Sequence, residues 1–277
     1  VFLVNALLRR DILESFLFSV ALAVGLTPEL LPMVVSVTLS RGAVRMARKK
    51  VIIKQLAAIG NFGSMDVLWR DKTGTLTVGE ISADCHLNLR GEEDERVIRL
   101  AALNSVYQTG LRSPMDEAIL KHEHPEAGSY ERVDEIPFDF QRRRVSVIVR
   151  QRARRLLITK GAPESVLPAC TASEIKEEIA PLDPEARAGA EALFRRLSAE
   201  GYRVLAVACR DIDERPVYAA ADERELVLVG LAAVAGPALE GVAETLGALR
   251  ADGIEVKIIT GDNDLVTRKI CQQVGLE

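Results

Sequence analysis

The sequence predicts an α/β fold. A sheet drawn from distant parts of the chain is interrupted by an inserted α+β domain and preceded by a membrane-spanning helix. Three observations carry this. Two short apolar runs, "MDVLW" at 65–69 and "EVKIIT" at 255–260, each end at a polar turn, as buried strands do. Segments of helical spacing flank the second run on both sides. An apolar stretch at 15–39 stands apart in kind from everything after residue 50.

The apolar stretch comes first. Residues 15–39 carry one charge, Glu29, and are long enough to cross a bilayer of about 30 Å. Arg41, Arg45, Arg48, Lys49, Lys50 and Lys54 follow, which places residue 41 onward in the cytoplasm. Arg9 and Arg10 on the other side blur that bias. Pro28 and Pro32 of "TPELLP" remove the helical donors to the carbonyls of Val24 and Pro28, so the helix is expected to be interrupted there. Freed carbonyls and an intramembrane carboxylate at Glu29 would suit a cation; a kinked helix with Glu29 paired elsewhere accounts for the residues equally well.

After residue 50 the composition is that of a folded α/β protein. The chain is 48% hydrophobic and 27% charged, with a net charge of −4, which gives no reason to expect nucleic acid. Cys85, Cys170, Cys209 and Cys271 are scattered, arguing for reduced thiols and against a disulfide framework or a zinc site. His122 and His124 read as a polar loop before Pro125. "ALEGVAETLGALRADG" is an amphipathic helix closed by Gly253, and "DLVTRKICQQVGL" is a second helix through Leu265, Val266, Ile270 and Val274. Pairing the 255–260 strand with the strand ending at Trp69 sets Asp71 and the Thr260–Asp262 turn on one rim, where open parallel sheets collect their chemistry.

The intervening stretch is long enough for a domain of its own. "SPMDEAIL" at 113–120 starts a helix. "EIPFDFQRRRVSVIVR" and "RRLLITKGAPESVL" read as hairpin strands, with alternation through Val145, Val147 and Val149. "EALFRRLSAEGYRVLAVACRD" is a helix, a Gly turn and a strand. Arg142, Arg143 and Arg144 beside Phe138 and Phe140 would suit a nucleotide, by stacking and phosphate attraction, or simply guard an edge strand with charge.

"DKTGTLT" at 71–77 is the densest chemical signal. A carboxylate at a strand end can attack phosphorus. Lys72, Thr73 and Thr75 can offset the developing charge, and Gly74 lets backbone amides approach phosphate oxygens. Thr260 and Gly261 offer further donors. Residue types alone also allow an ordinary strand-to-turn transition.

"DKTGTLT" resembles the phosphorylation signature of the P-type cation-transporting ATPases. "PELLP" before it and "KGAPE" and "TGD" after it keep that family's order. The finer resemblance, through "AVGLTPELLPMVVSVTLSRGAVRMARKKVIIKQLAAIGNFGSMDVL", is to bacterial magnesium-transporting members. It implies a haloacid-dehalogenase-like, Rossmann-like phosphorylation domain at 51–80 and 229–277. A nucleotide-binding domain would be inserted at 81–228, and a transmembrane segment and stalk would occupy 1–50. By that resemblance Asp71 is the phosphorylated nucleophile. Asp71 and the Thr73 carbonyl ligate Mg²⁺, and Lys72, Thr75, Thr260, Gly261 and Asp262 line the phosphate path. Phe138, Lys160 and Gly161 contact ATP, joined by Asp116, Arg143 and Arg203, and Glu29 faces the transported divalent cation. The implied setting is the inner (plasma) membrane, with lipid, an actuator domain and further transmembrane helices as partners.

Departures accompany the match. Trp69 and Arg70 stand where the family has small residues, so overpacking by Trp69 and an Arg70–Asp71 ion pair are expected. Gly236 stands where the family has aspartate. The chain ends before the family's Gly-Asp-Gly segment and has no actuator loop, so it reads as a fragment or the product of a broken gene, without steady ATP turnover by itself. A soluble haloacid-dehalogenase-type phosphatase, or a nucleotide-binding module without turnover, are the rival readings.

Overall fold

The computed structural model of the chain describes residues 2–9, 12–78, 81–110, 112–124, 130–261 and 263–276; side chains at 2, 5, 6, 9 and 26–29 lie outside that description. The chain divides into two compact units, Val1–Leu68 and Trp69–Glu277.

The first unit is helical: α1 (Phe2–Arg9), α2 (Ile12–Arg48) and the short α3 (Ala58–Phe62). Contrary to the expected interruption, α2 runs unbroken through Pro28 and Pro32. Proline's fixed φ is compatible with a helix, and in a long helix the lost bonds cost less than ending it in an apolar stretch. Leu30–Arg48 is long and apolar enough to cross a membrane, and Ile12–Gly25 is a shorter apolar stretch. Phe16, Leu17, Leu31 and Val34 are all exposed along it. Hydroxyls bond inward, Ser19 Oγ to the Ser15 carbonyl (2.7 Å) and Thr38 Oγ1 to that of Val34 (2.8 Å). The Glu29 side chain, a predicted cation ligand, lies outside the described residues.

The second unit begins within β1 (Val67–Asp71) and continues through β2 (Ser82–Leu87), α4 (Glu95–Tyr107), α5 (Pro114–His122), β3 (Glu131–Asp139), β4 (Arg144–Gln151) and β5 (Arg154–Gly161). Then come α6 (Pro163–Val166), β6 (Cys170–Ile175), β7 (Glu178–Pro181), α7 (Pro184–Ala199), β8 (Arg203–Asp211) and β9 (Leu226–Ala235). It ends with α8 (Val242–Ala251), β10 (Glu255–Ile259) and α9 (Asp264–Gln273). Among the described residues, β1 and β10 form a two-stranded sheet, the predicted long-range partnership. Leu76, Val242, Leu246, Ile270 and Val274 form the core beside it.

The larger sheet has the order β3-β4-β5-β8-β9-β6-β7. β9 pairs antiparallel with β8, parallel with β6 near Leu226–Leu228, and antiparallel with β2 from Leu231 to Ala235. The sheet is covered on both faces. Val97, Ala101 and Ile119 of α4 and α5 pack on Val147, Val149, Leu205 and Val207. Ala190, Leu193 and Leu197 of α7 pack with Ile148, Ala206 and Leu231 in a second core. The alternation read at Val145, Val147 and Val149 therefore separates two buried faces, not core from solvent. Two central elements, α4 and β9, have no counterpart among the predicted ones. The apolar run of β9 lacks alternation because neither face meets water.

Gly230, in the middle of β9, explains itself sterically. A Cβ there would lie 2.2 Å from the Leu87 carbonyl oxygen and 2.6 Å from Val97 Cγ2. Only glycine lets β2 and α4 close on β9. Gly230→Ala is expected to destabilise the second unit by about 1–3 kcal/mol, as overpacking does. Denaturant unfolding followed by circular dichroism reads this, and an unchanged midpoint would refute the close approach.

Candidate functional site

A cleft of about 670 Å³ opens between the larger sheet and the β10–α9 turn. Its floor is a buried ion pair. Lys160, near the end of β5, places Nζ 2.5 Å from Asp116 Oδ1 and 2.5 Å from Ser105 Oγ. Asp116 belongs to a capping box. Its Oδ2 accepts from Ser113 N (2.8 Å) and Oγ (2.7 Å) at the start of α5, following the "SPMD" of the sequence. Burial alone would raise the Asp116 carboxyl. The Lys160 ammonium and the hydrogen bonds from Lys160 and Ser113 outweigh it and hold the pKa at about 2. Burial pulls Lys160 down, against the charge of Asp116.

One wall is the β3–β4 hairpin. Phe138 and Phe140 meet edge to face at 5.3 Å and 85°, and both are largely open to solvent, Phe140 at 89%. Arg143 lines the cleft from the hairpin tip with φ +48°. Its neighbours do not serve a ligand. Arg142 Nη1 lies 2.5 Å and Arg144 Nε 2.8 Å from a Glu223 oxygen. The predicted arginine cluster thus resolves into one residue at the cleft and two bound to a buried carboxylate. Gly161 also lines the cleft, and a Cβ there would meet the Arg143 carbonyl oxygen and Arg144 Cβ at 2.5 Å, so its smallness serves the packing of β5 on β4.

The opposite wall joins the cleft to the "DKTGTLT" segment. Arg203, first residue of β8, lines the cleft and donates from Nη2 to Thr73 Oγ1 at 2.5 Å. Asp71 ends β1 with its side chain exposed, and its Oδ1 accepts from the Thr73 amide at 3.4 Å. A turn follows, with Leu76 N donating to the Lys72 carbonyl (2.9 Å) and Gly74 at φ +70°. "GPAL" holds the segment: Val78 N donates to the Pro237 carbonyl (2.9 Å) and Leu239 N to that of Leu76 (2.8 Å). Thr260 ends the β10 run, half-buried, and Gly261 and Asn263 reach the cleft. Asp262 lies outside the described residues.

Several expectations change. Lys72 is 1% exposed, while Asp71 beside it is open to solvent. Burial raises the Cys271 thiol of α9, and the charge of Lys72 lowers it. Trp69 is 58% exposed, with Lys257 Nζ 5.6 Å from its ring centroid, so nothing is overpacked. No Arg70–Asp71 ion pair forms among the described residues, because successive strand residues point to opposite faces. His122 ends α5 and is not in a loop, with its ring 5.3 Å from that of His86. Glu223 and Ser105 had no signal in the sequence; Phe140 did, through its place beside the arginines.

The sign of the acid response follows from Asp116. Its folded pKa is about 2, below the ordinary 3.8. The stability it contributes is fully present above about pH 4 and is lost as pH falls toward 2, on the order of 2 kcal/mol. Asp116→Asn should flatten the pH dependence of unfolding in that window and, by stranding Lys160, cost about 3–5 kcal/mol at neutral pH. Unfolding curves of both proteins from pH 2 to 7 read both effects; parallel curves would refute the ion pair.

Comparison with known proteins accords with this geometry. Residues 82–240 match the family model described as P-type ATPase, cytoplasmic domain N. The whole chain is 44% identical to "Magnesium-transporting ATPase, P-type 1" of Escherichia coli (strain K12), covering 32% of that protein. A Salmonella typhimurium (strain LT2) protein of the same name is 43% identical, with the same coverage. "Calcium-transporting ATPase 1" of Bacillus cereus is 30% identical over 99% of this chain and 33% of its own length. The chain thus spans about a third of the length of the curated relatives it matches. A match over all strands of the larger sheet and the start of the loop after β9, joined to end-to-end identity with these proteins, makes the chain a member of the P-type ATPase family.

Proposed function

We propose that the chain supplies the ATP-binding and phosphoryl-accepting part of a magnesium-transporting ATPase in the plasma membrane, residue 41 onward being cytoplasmic. The observation that carries this reading is the cleft bounded by Phe138, Arg143 and Lys160 on one side and by Gly261 on the other, with Arg203 bonded across to Thr73. Exposed aromatic faces suit a base, and the cationic residues suit the phosphates. The domain around β1 and β10 is read as haloacid-dehalogenase-like.

In this reading Asp71 is the nucleophile. One carboxylate oxygen forms a bond to the γ-phosphorus as the bond from that phosphorus to ADP breaks, leaving an acyl phosphate. The Thr73 amide beside Asp71 Oδ1 orients the carboxylate, and Thr75, Thr260 and, outside the described residues, Asp262 are assigned to the phosphate path by the family resemblance. The Asp71 carboxylate and the Thr73 carbonyl, on exposed residues two apart at the end of β1, are hard oxygen donors of the kind Mg²⁺ takes, and these residues would hold the ion. When bound, that ion neutralises charge on phosphate and nucleophile. Membrane lipid, a divalent cation facing Glu29 and the remaining transporter segments, an actuator domain among them, complete the proposed setting.

Two measurements test this. Calorimetric titration of the full chain with ATP should detect binding that Phe138→Ala weakens by about 1–3 kcal/mol. Equal affinity in both would remove Phe138 from the site. Brief incubation with γ-labelled ATP and Mg²⁺, then acid quench, should leave label on the wild type and none on Asp71→Asn. Label persisting in the variant would rule out Asp71 as acceptor.

A further inference from the structure

Glu223 is a fully buried carboxylate just ahead of β9, far in sequence from the hairpin it touches. One oxygen receives Arg142 Nη1 (2.5 Å) and Arg144 Nε (2.8 Å). The other accepts from Ser146 Oγ (2.7 Å), which itself lies 2.8 Å from Thr159 Oγ1. Both arginines also grip backbone: Arg142 Nη2 donates to the Pro137 carbonyl (2.7 Å) and Arg144 Nη1 to the Ser165 carbonyl (2.7 Å). Between them Arg143 sits at φ +48°, a conformation unfavourable to any residue with a side chain. It is held by Arg143 N to the Asp139 carbonyl (2.6 Å) and Ala162 N to the Arg143 carbonyl (3.0 Å).

We propose that Glu223 is a positioning residue for the nucleotide cleft: by binding the arginines on either side of Arg143, it sets the hairpin tip so that Phe138, Phe140 and Arg143 face the ligand. The inference rests on the nucleotide reading of that cleft. The physical argument is one of charge and strain. Arg142 and Arg144 are mostly buried, so each needs a counter-charge, and Glu223 provides it to both. With that counter-charge removed, the guanidiniums turn outward to water. The tip follows them, and Arg143 relaxes from its left-handed conformation. Glu223 itself does not line the cleft, so it acts through the hairpin alone.

The test uses the full chain in detergent, as wild type, Glu223→Gln and Arg142→Gln. ATP affinity is measured by calorimetry, and amide hydrogen exchange is followed at residues 139–144 and along β8 and β9. Both variants should bind ATP roughly tenfold more weakly, the scale of one lost charge-assisted hydrogen bond. Exchange should quicken at the tip and stay slow in β8 and β9, a pattern that a general loss of core stability does not give. Arg142→Gln breaks the contact from its more exposed side and decides the matter if Glu223→Gln fails to fold. Wild-type binding retained by both variants would overturn the positioning role alone. Exchange quickened throughout β8 and β9 would also overturn it, by making Glu223 a core support. Absence of ATP binding by the wild type would overturn the reading of the cleft itself.

Discussion

The buried pair of Lys160 and Asp116 is the contact on which the cleft depends. It joins β5 to the first turn of α5, and Ser105 draws α4 into the same network. A buried ammonium without its carboxylate is costly, so these three elements are tied together by charge as well as by apolar packing. The arrangement also fixes which polar atoms stand at the floor of the cleft.

The larger sheet handles its other buried acids in the same way. Glu174 pairs with Arg96, and Glu135 accepts from the Thr109 amide and hydroxyl and from Arg132. Glu223 takes two arginines and a serine. Each carboxylate meets at least one partner from an element or loop other than its own, so these contacts tie helices and loops to the sheet. The hairpin bearing Phe138 and Phe140 is one such loop.

The segment after β1 is organised by backbone more than by side chains. Its turn, its bonds to "GPAL" and the burial of Leu76 leave Asp71 exposed at the strand end. Lys72 is drawn inward at the same step. Arg203 then bridges from the larger sheet to Thr73, so the cleft and the carboxylate share one mechanical connection.

Much of this was legible in sequence. The strands read at "MDVLW" and "EVKIIT", found at Val67–Asp71 and Glu255–Ile259, with the helices flanking the second and the helix start at "SPMD", follow from local patterns of burial and capping, which depend on neighbours in the chain. "DKTGTLT" and "KGAPE" carried the family resemblance in a few contiguous residues. Tertiary structure decided the rest. It sorted three adjacent arginines into one cleft residue and two partners of a glutamate some 80 positions away. It buried Lys72 and left Trp69 in solvent. It made β9 a strand covered on both faces, where alternation vanishes. These outcomes turn on which distant backbone lies alongside, and on whether a charge finds its partner there or in water. The chain's local order contains no trace of either.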